Sequence, residues 1–131
     1  MDAKVQANDD EKEDKRYTID DIMSLPDGQC AELVNGRWYD MSAPSRVHQE
    51  IVMNISAALH DHIKEKGGSC KVYPAPFAVF LNKDERNYFE PDISVICDRD
   101  KLSDRGCEGA PDLVVEVASE STKSRDLFFK A

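Results

Sequence analysis

The sequence predicts an α/β domain, or its α+β variant, built on a central mixed β-sheet flanked by helices. Three observations lead there. Helical and strand periodicities follow one another in the order helix, hairpin, helix, three strands, helix. The strand segments are short, β-branched and apolar, the mark of sheets whose faces are covered. One long helical stretch with clear start and stop signals stands between the hairpin and the later strands.

Each element has a local cause. YTIDDIMSLP (17–26) predicts a short helix: Thr18 caps it, Asp21 completes a capping-box pattern and Pro26 stops it. QCAELV (29–34) and RWYDM (37–41) flank Asn35-Gly36, a pair suited to a two-residue type I′ turn, so a β-hairpin is expected. Ser42-Ala43-Pro44-Ser45 launches the strongest helix. In it Val47, Ile51, Ile55, Ala58, Leu59 and Ile63 recur at helical spacing, and Gly67-Gly68 ends it. CKVYPAPFAVFL (70–81) reads as an extended segment interrupted by proline, and NKDERN (82–87) as a polar turn. ISVIC (93–97), entered through Glu90-Pro91-Asp92, is a short apolar strand. Residues 98–111 read as a charged loop, and DLVVEVAS (112–119) as a strand carrying one acid. Ser121 and Thr122 can cap a last helix, KSRDLFFKA.

The chain has 131 residues, 40% of them apolar and 33% charged, which suits one domain with one core. Residues 1–15 hold one Val and no aromatic, too little apolar surface to offset ordering, so a disordered acidic tail is expected, followed by a domain over 16–131. No apolar run approaches the roughly 20 residues of a spanning helix, so no membrane partner is expected. The N-terminus lacks the apolar stretch of a secretory signal, which makes the cytoplasm the default compartment. Cys30, Cys70, Cys97 and Cys107 show no C-x-x-C spacing and are read as reduced, mostly buried thiols. Net charge is -9; residues 1–14 hold six acids against two lysines, a net of -4, which leaves -5 for the rest. That balance argues against a tight non-specific nucleic-acid binder. Any nucleic-acid role must lean on metal ions and a local basic patch.

Two acids stand where strands are otherwise apolar. Glu116 sits inside LVVEVA, and a buried strand carboxylate costs several kcal/mol (order of magnitude) unless paired or metal-bound. Strand alternation puts Asp112, Val114, Glu116 and Ala118 on one face. Asp92 opens the other apolar strand directly after Pro91. Two such acids on neighbouring strands can converge on one hard divalent cation, which prefers oxygen ligands. A cation held there suits phosphodiester hydrolysis, because it polarises the phosphate and lowers the pKa of a bound water. The structural alternative pairs Glu116 with Arg37, Arg46 or Lys123 and lets Asp92 cap a turn. His60 and His62 read as solvent-face residues.

The segments YTIDDIMSLP, CAELVNGRWYDMSAPSRVHQEIV, EPDISVI and APDLVVEVASESTKSRDLFFK together resemble the Uma-type putative restriction endonucleases, a former domain of unknown function within the PD-(D/E)XK nuclease superfamily. They stand in family order and span residues 17–130. The resemblance implies a restriction-endonuclease-like fold with its active site at one sheet edge, DNA as substrate and Mg²⁺ or Mn²⁺ as cofactor. It implies that Asp92 is the acid of the PD element, that Glu116 is the second acid and that the Val117 backbone carbonyl is a further metal ligand. Glu32 matches the upstream acid and His48 a histidine near the helix start. The superfamily lysine two after Glu116 is replaced by Ala118, and the resemblance moves that role to Lys130 in the last helix. Asp126 and Lys130, four apart, would share a helix face. Family members continue past this lysine, so the domain is expected to be incomplete at its C-terminus and to dimerise. Two other readings stay open: a catalytically inactive nuclease-fold module for binding or dimerisation, and a metal-dependent phosphoesterase acting on small substrates.

Overall fold

A computed structural model describes residues 15–81 and 85–118. Residues 1–14 of the acidic tail, residues 82–84 of the polar turn and the last helix with Asp126 and Lys130 lie outside the described residues. Helix α1 (Ile19–Met23) leads into the hairpin β1 (Cys30–Val34) and β2 (Arg37–Met41), then the long helix α2 (Arg46–Glu65). Strands β3 (Lys71–Pro74), β4 (Ala78–Phe80) and β5 (Ile93–Ile96) follow. A 3₁₀ turn (Arg99–Lys101) precedes β6 (Leu102–Ser103), β7 (Gly106–Glu108) and β8 (Leu113–Val115).

The local signals act as expected in the first half. The Thr18 amide donates to Asp21 Oδ2 at 2.9 Å, closing the α1 capping box. Asn35 and Gly36 take φ of 51° and 82°, both positive as a type I′ turn requires. Ser45 caps α2, its Oγ accepting from the His48 amide at 3.1 Å. The α2 stripe is buried differently from its spacing. Val52 and Ser56 are buried, one and two turns on from His48, whereas Val47 and Ile51 are 54% and 40% exposed.

The single central mixed sheet expected from sequence is divided into three small ones. β1 and β2 form the hairpin sheet, β3-β5-β8 is antiparallel throughout, and β4-β7-β6 is mixed, with β4 and β7 parallel. Residues 88–89 link the hairpin sheet to the β4-β7-β6 sheet by single bridges instead of ladders. Tyr88 exchanges both backbone hydrogen bonds with Leu33 of β1, at 2.8 and 3.1 Å. Phe89 exchanges both with Val79 of β4, at 2.8 and 3.0 Å. One buried cluster joins Tyr17 and Ile22 to Leu33 and Trp38 of the hairpin and to Phe80 and Tyr88. A second gathers Val79, Ile96 and Cys107.

The charged loop over 98–111 is more ordered than its composition suggests, since it contains the 3₁₀ turn, β6 and β7. Gly106 makes this possible. Its φ is +145°, and a Cβ there would stand 2.2 Å from the Ala78 carbonyl oxygen. Gly106→Ala should therefore disrupt the β4–β7 pairing and cost at least about 2 kcal/mol, from the glycine-only backbone region alone. Chemical denaturation checks this; an unchanged midpoint would contradict it.

The cysteine reading needs correction. Cys70 and Cys97 form a disulfide across a separation of 27 residues, while Cys30 and Cys107 are free. The ladder explains the pairing. Lys71 stands opposite Ile96, so the next pair outward is residue 70 against residue 97. Sequence spacing carries no trace of a cross-strand pairing of this kind.

Candidate metal centre

The candidate site forms where β5 begins and β8 ends. Pro74 is opposite Ile93, and the Ala75 amide donates to the Asp92 carbonyl at 2.8 Å, which extends the β3–β5 ladder to Asp92. Ile93 is opposite Val115, so Asp92 and Glu116 are the next pair along and share a sheet face. Glu116 lies just past the last ladder residue of β8 and is half-buried, so it terminates that strand and does not sit within it. Leu113 and Val114 of this strand are exposed, which differs from the buried strand expected.

Each carboxylate accepts a backbone amide from the neighbouring strand segment. The Asp92 amide donates to Glu116 Oε1 at 3.2 Å, and the Val117 amide donates to Asp92 Oδ2 at 2.8 Å. His48 closes the third side: its Nε2 lies 3.2 Å from the same Asp92 Oδ2, and its Nδ1 lies 3.1 Å from Gln49 Oε1. The imidazole and carboxylate are only 11% and 17% exposed, so the contact sits in a sheltered setting where charge-assisted hydrogen bonds are strong. Asp92, Glu116, Val117 and His48 thus come together in one place.

Glu32 is not part of that group but abuts it. Its carboxylate is buried, at 1% exposure, and Oε2 accepts from the Glu90 amide at 2.9 Å. It fixes the chain two residues before Asp92. Arg46 pairs with Glu50 one turn along α2, and Arg37 is exposed at the hairpin turn.

Sequence reasoning missed Glu90 and Tyr88. Both are buried, and the Tyr88 hydroxyl donates to Glu90 Oε2 at 3.1 Å. Burial, with a smaller contribution from the Glu32 charge, pushes the Glu90 carboxyl above the ordinary range despite the Tyr88 bond. Burial pushes the Tyr88 hydroxyl up as well, helped by the Glu90 charge. The one available signal was the acid ahead of Pro91, read only as part of the strand entry. A carboxyl raised on folding binds its proton more tightly in the native state. Its contribution to stability is complete below the ordinary Glu pKa and is lost as pH rises through the raised value. Glu90→Gln should therefore gain melting temperature relative to wild type as pH goes from 4 to 8. Parallel melting profiles across that range would contradict this.

The donor types fit a hard divalent cation, which prefers oxygen: two carboxylates and nearby main-chain oxygen. Both carboxylates are oriented by amide donors, as ligating groups usually are. Among the described residues no group of three or more His, Cys, Asp or Glu side chains forms a ready-made cage.

The family model described as "Uma2: Putative restriction endonuclease" matches residues 19–131. The chain belongs to the Uma2 family. Another similar chain is the "Uncharacterized protein slr1290" of Synechocystis sp. (strain ATCC 27184 / PCC 6803 / Kazusa), 34% identical over 96 residues. That alignment covers 72% of this chain and 48% of the relative, so this Uma2 chain spans about half the length of the curated protein it matches. Among solved structures, it superposes on a crystal structure titled as a putative nuclease belonging to DUF820 from Anabaena variabilis ATCC 29413. The TM-score is 0.65 at 17% identity, over 85% of this chain and 63% of the other. At that identity the likeness establishes a shared fold, which in the described residues of this chain is mixed α/β with several small sheets and two helices. No helix among the described residues is long and apolar enough to cross a membrane.

Proposed function

We propose that this Uma2 chain is a metal-dependent endonuclease that hydrolyses phosphodiester bonds in DNA. One observation carries the reading: Asp92 and Glu116 each accept a hydrogen bond from the other's strand end, 3.2 Å and 2.8 Å, so both carboxylates are fixed at one point. Asp92 and Glu116, with the Val117 carbonyl, would hold Mg²⁺ or Mn²⁺. The bound ion supplies Lewis-acid polarisation of the phosphate and a more acidic water. The chain's own groups do the rest. The amides of Asp92 and Val117 orient the two carboxylates. His48 orients Asp92 through the Nε2–Oδ2 contact, and its other ring nitrogen is held by Gln49 Oε1. Glu32 anchors the approach to Asp92 through the Glu90 amide. Lys130, outside the described residues, is the group assigned to offset developing charge.

DNA is the partner in this reading, and a second copy is its assembly partner, supported by the exposed Leu113 and Val114 on β8. A non-catalytic binding module is favoured by one observation, Ala118 where the superfamily carries lysine. Plasmid and linear DNA incubated with Mg²⁺ or Mn²⁺ separate the two readings. Cleavage by wild type that is lost in Asp92→Asn supports the nuclease. Mn²⁺ binding without cleavage of any DNA form supports the module.

A further inference from the structure

The Cys70–Cys97 disulfide is placed where a small molecule can reach it. Cys97 is exposed and Cys70 half-buried. Cys70 lines an open groove of about 380 Å³ between the C-terminal end of α2 and β3. His60 and Lys64 line it from α2, and Lys71, Val72 and Tyr73 from β3; no acid is among its lining residues. A cationic groove is unexpected in a chain of net charge -9. The other end of the bridge has the opposite sign. The Cys97 amide donates to Asp112 Oδ2 at 2.6 Å, and Asp98 follows it in sequence. An anionic reagent therefore meets attraction at Cys70 and repulsion at Cys97.

We propose that this groove is a thiol–disulfide exchange site for a small thiol carrying carboxylate groups, with attack directed to Cys70. The thiolate sulfur bonds to Cys70 Sγ as the Sγ–Sγ bond breaks, and the electron pair leaves on Cys97 Sγ, which takes a proton from water. A second thiolate attacks the small-molecule sulfur of the mixed disulfide and releases Cys70. Two thiols are oxidised to one small-molecule disulfide, and the protein bridge is reduced to two cysteines. The remaining cysteines do not compete. Burial holds the thiols of Cys30 and Cys107 above their ordinary pKa, which keeps them protonated and poorly nucleophilic.

The bridge ties two parts of the candidate metal centre. α2 carries His48 at its start and runs through Gly67-Gly68 into Cys70; β5 opens directly after Asp92 and ends just before Cys97. The α2–β3 unit is thus fastened to β5 by the disulfide at one end and meets it through His48 and Asp92 at the other. The exchange chemistry itself does not depend on the nuclease reading.

The test compares 3-mercaptopropionate with neutral 2-mercaptoethanol on the full chain at equal thiolate concentration, with acid quenching, alkylation and mass mapping. The carboxylated thiol should react at least about threefold faster. That preference should vanish in 1 M salt and in the double variant Lys64→Gln, Lys71→Gln, and the trapped mixed disulfide should map to Cys70. Equal rates for the two thiols, a mixed disulfide on Cys97, or four free thiols in the air-oxidised protein would each overturn the proposal.

Discussion

Glu116→Ala should abolish Mg²⁺- or Mn²⁺-dependent cleavage of DNA and weaken Mn²⁺ binding by about 100-fold or more. Loss of a group that only orients a metal ligand typically costs about 10- to 100-fold, and Glu116 is proposed as a direct ligand. The substitution has a structural consequence too. It takes the acceptor Glu116 Oε1 away from the part-buried Asp92 amide, which costs on the order of 1–3 kcal/mol. Glu116→Gln separates the two effects, since it keeps an oxygen for that amide while removing the charge a cation needs. Both variants should lose cleavage, and only Glu116→Ala should lose stability. A Glu116→Gln protein that cuts DNA at wild-type rates would exclude this carboxylate as a metal ligand.

Removal of the disulfide should be the largest single loss of stability. The bridge spans 27 residues, and closing a loop of that size in the unfolded chain accounts for about 3.5 kcal/mol. Against a typical domain stability of about 5–15 kcal/mol, this is a large fraction. Cys70→Ser with Cys97→Ser, unfolded in urea, should show that deficit relative to oxidised wild type and match wild type kept reduced. Identical midpoints for the variant and the oxidised protein would show that the bridge does not constrain the unfolded chain.

What was legible in the sequence divides by range. The capping box at Thr18 and Asp21, the Asn35-Gly36 turn and the helix launched by Ser42-Ala43-Pro44-Ser45 depend on near neighbours, and all appear where expected. The sheet order depends on partners far apart in the chain. The parallel pairing of β4 with β7 requires Gly106 to pass against Ala78, and only single bridges at Tyr88 and Phe89 link the hairpin to the β4-β7-β6 sheet. No periodicity encodes those contacts. The same limit hid the disulfide, which follows from the β3–β5 register and from nothing in the cysteine spacing.

The candidate site shows a similar division. Asp92 and Glu116 were singled out because a carboxylate in an apolar strand segment needs a partner, and the structure puts them in hydrogen-bond contact. His48 came from family resemblance alone, and its contact with Asp92 is a long-range product of how α2 packs beside β3. Glu90 and Tyr88 were missed because their interest arises from burial beside Glu32, which only the fold creates.

A crystal structure of the full chain soaked in Mn²⁺, with the ion located by anomalous scattering, should show one strong peak within ligand distance of carboxylate oxygens of both Asp92 and Glu116. A peak bound elsewhere, or none at these carboxylates while Mn²⁺ occupies other acids of the chain, would contradict the proposed metal site.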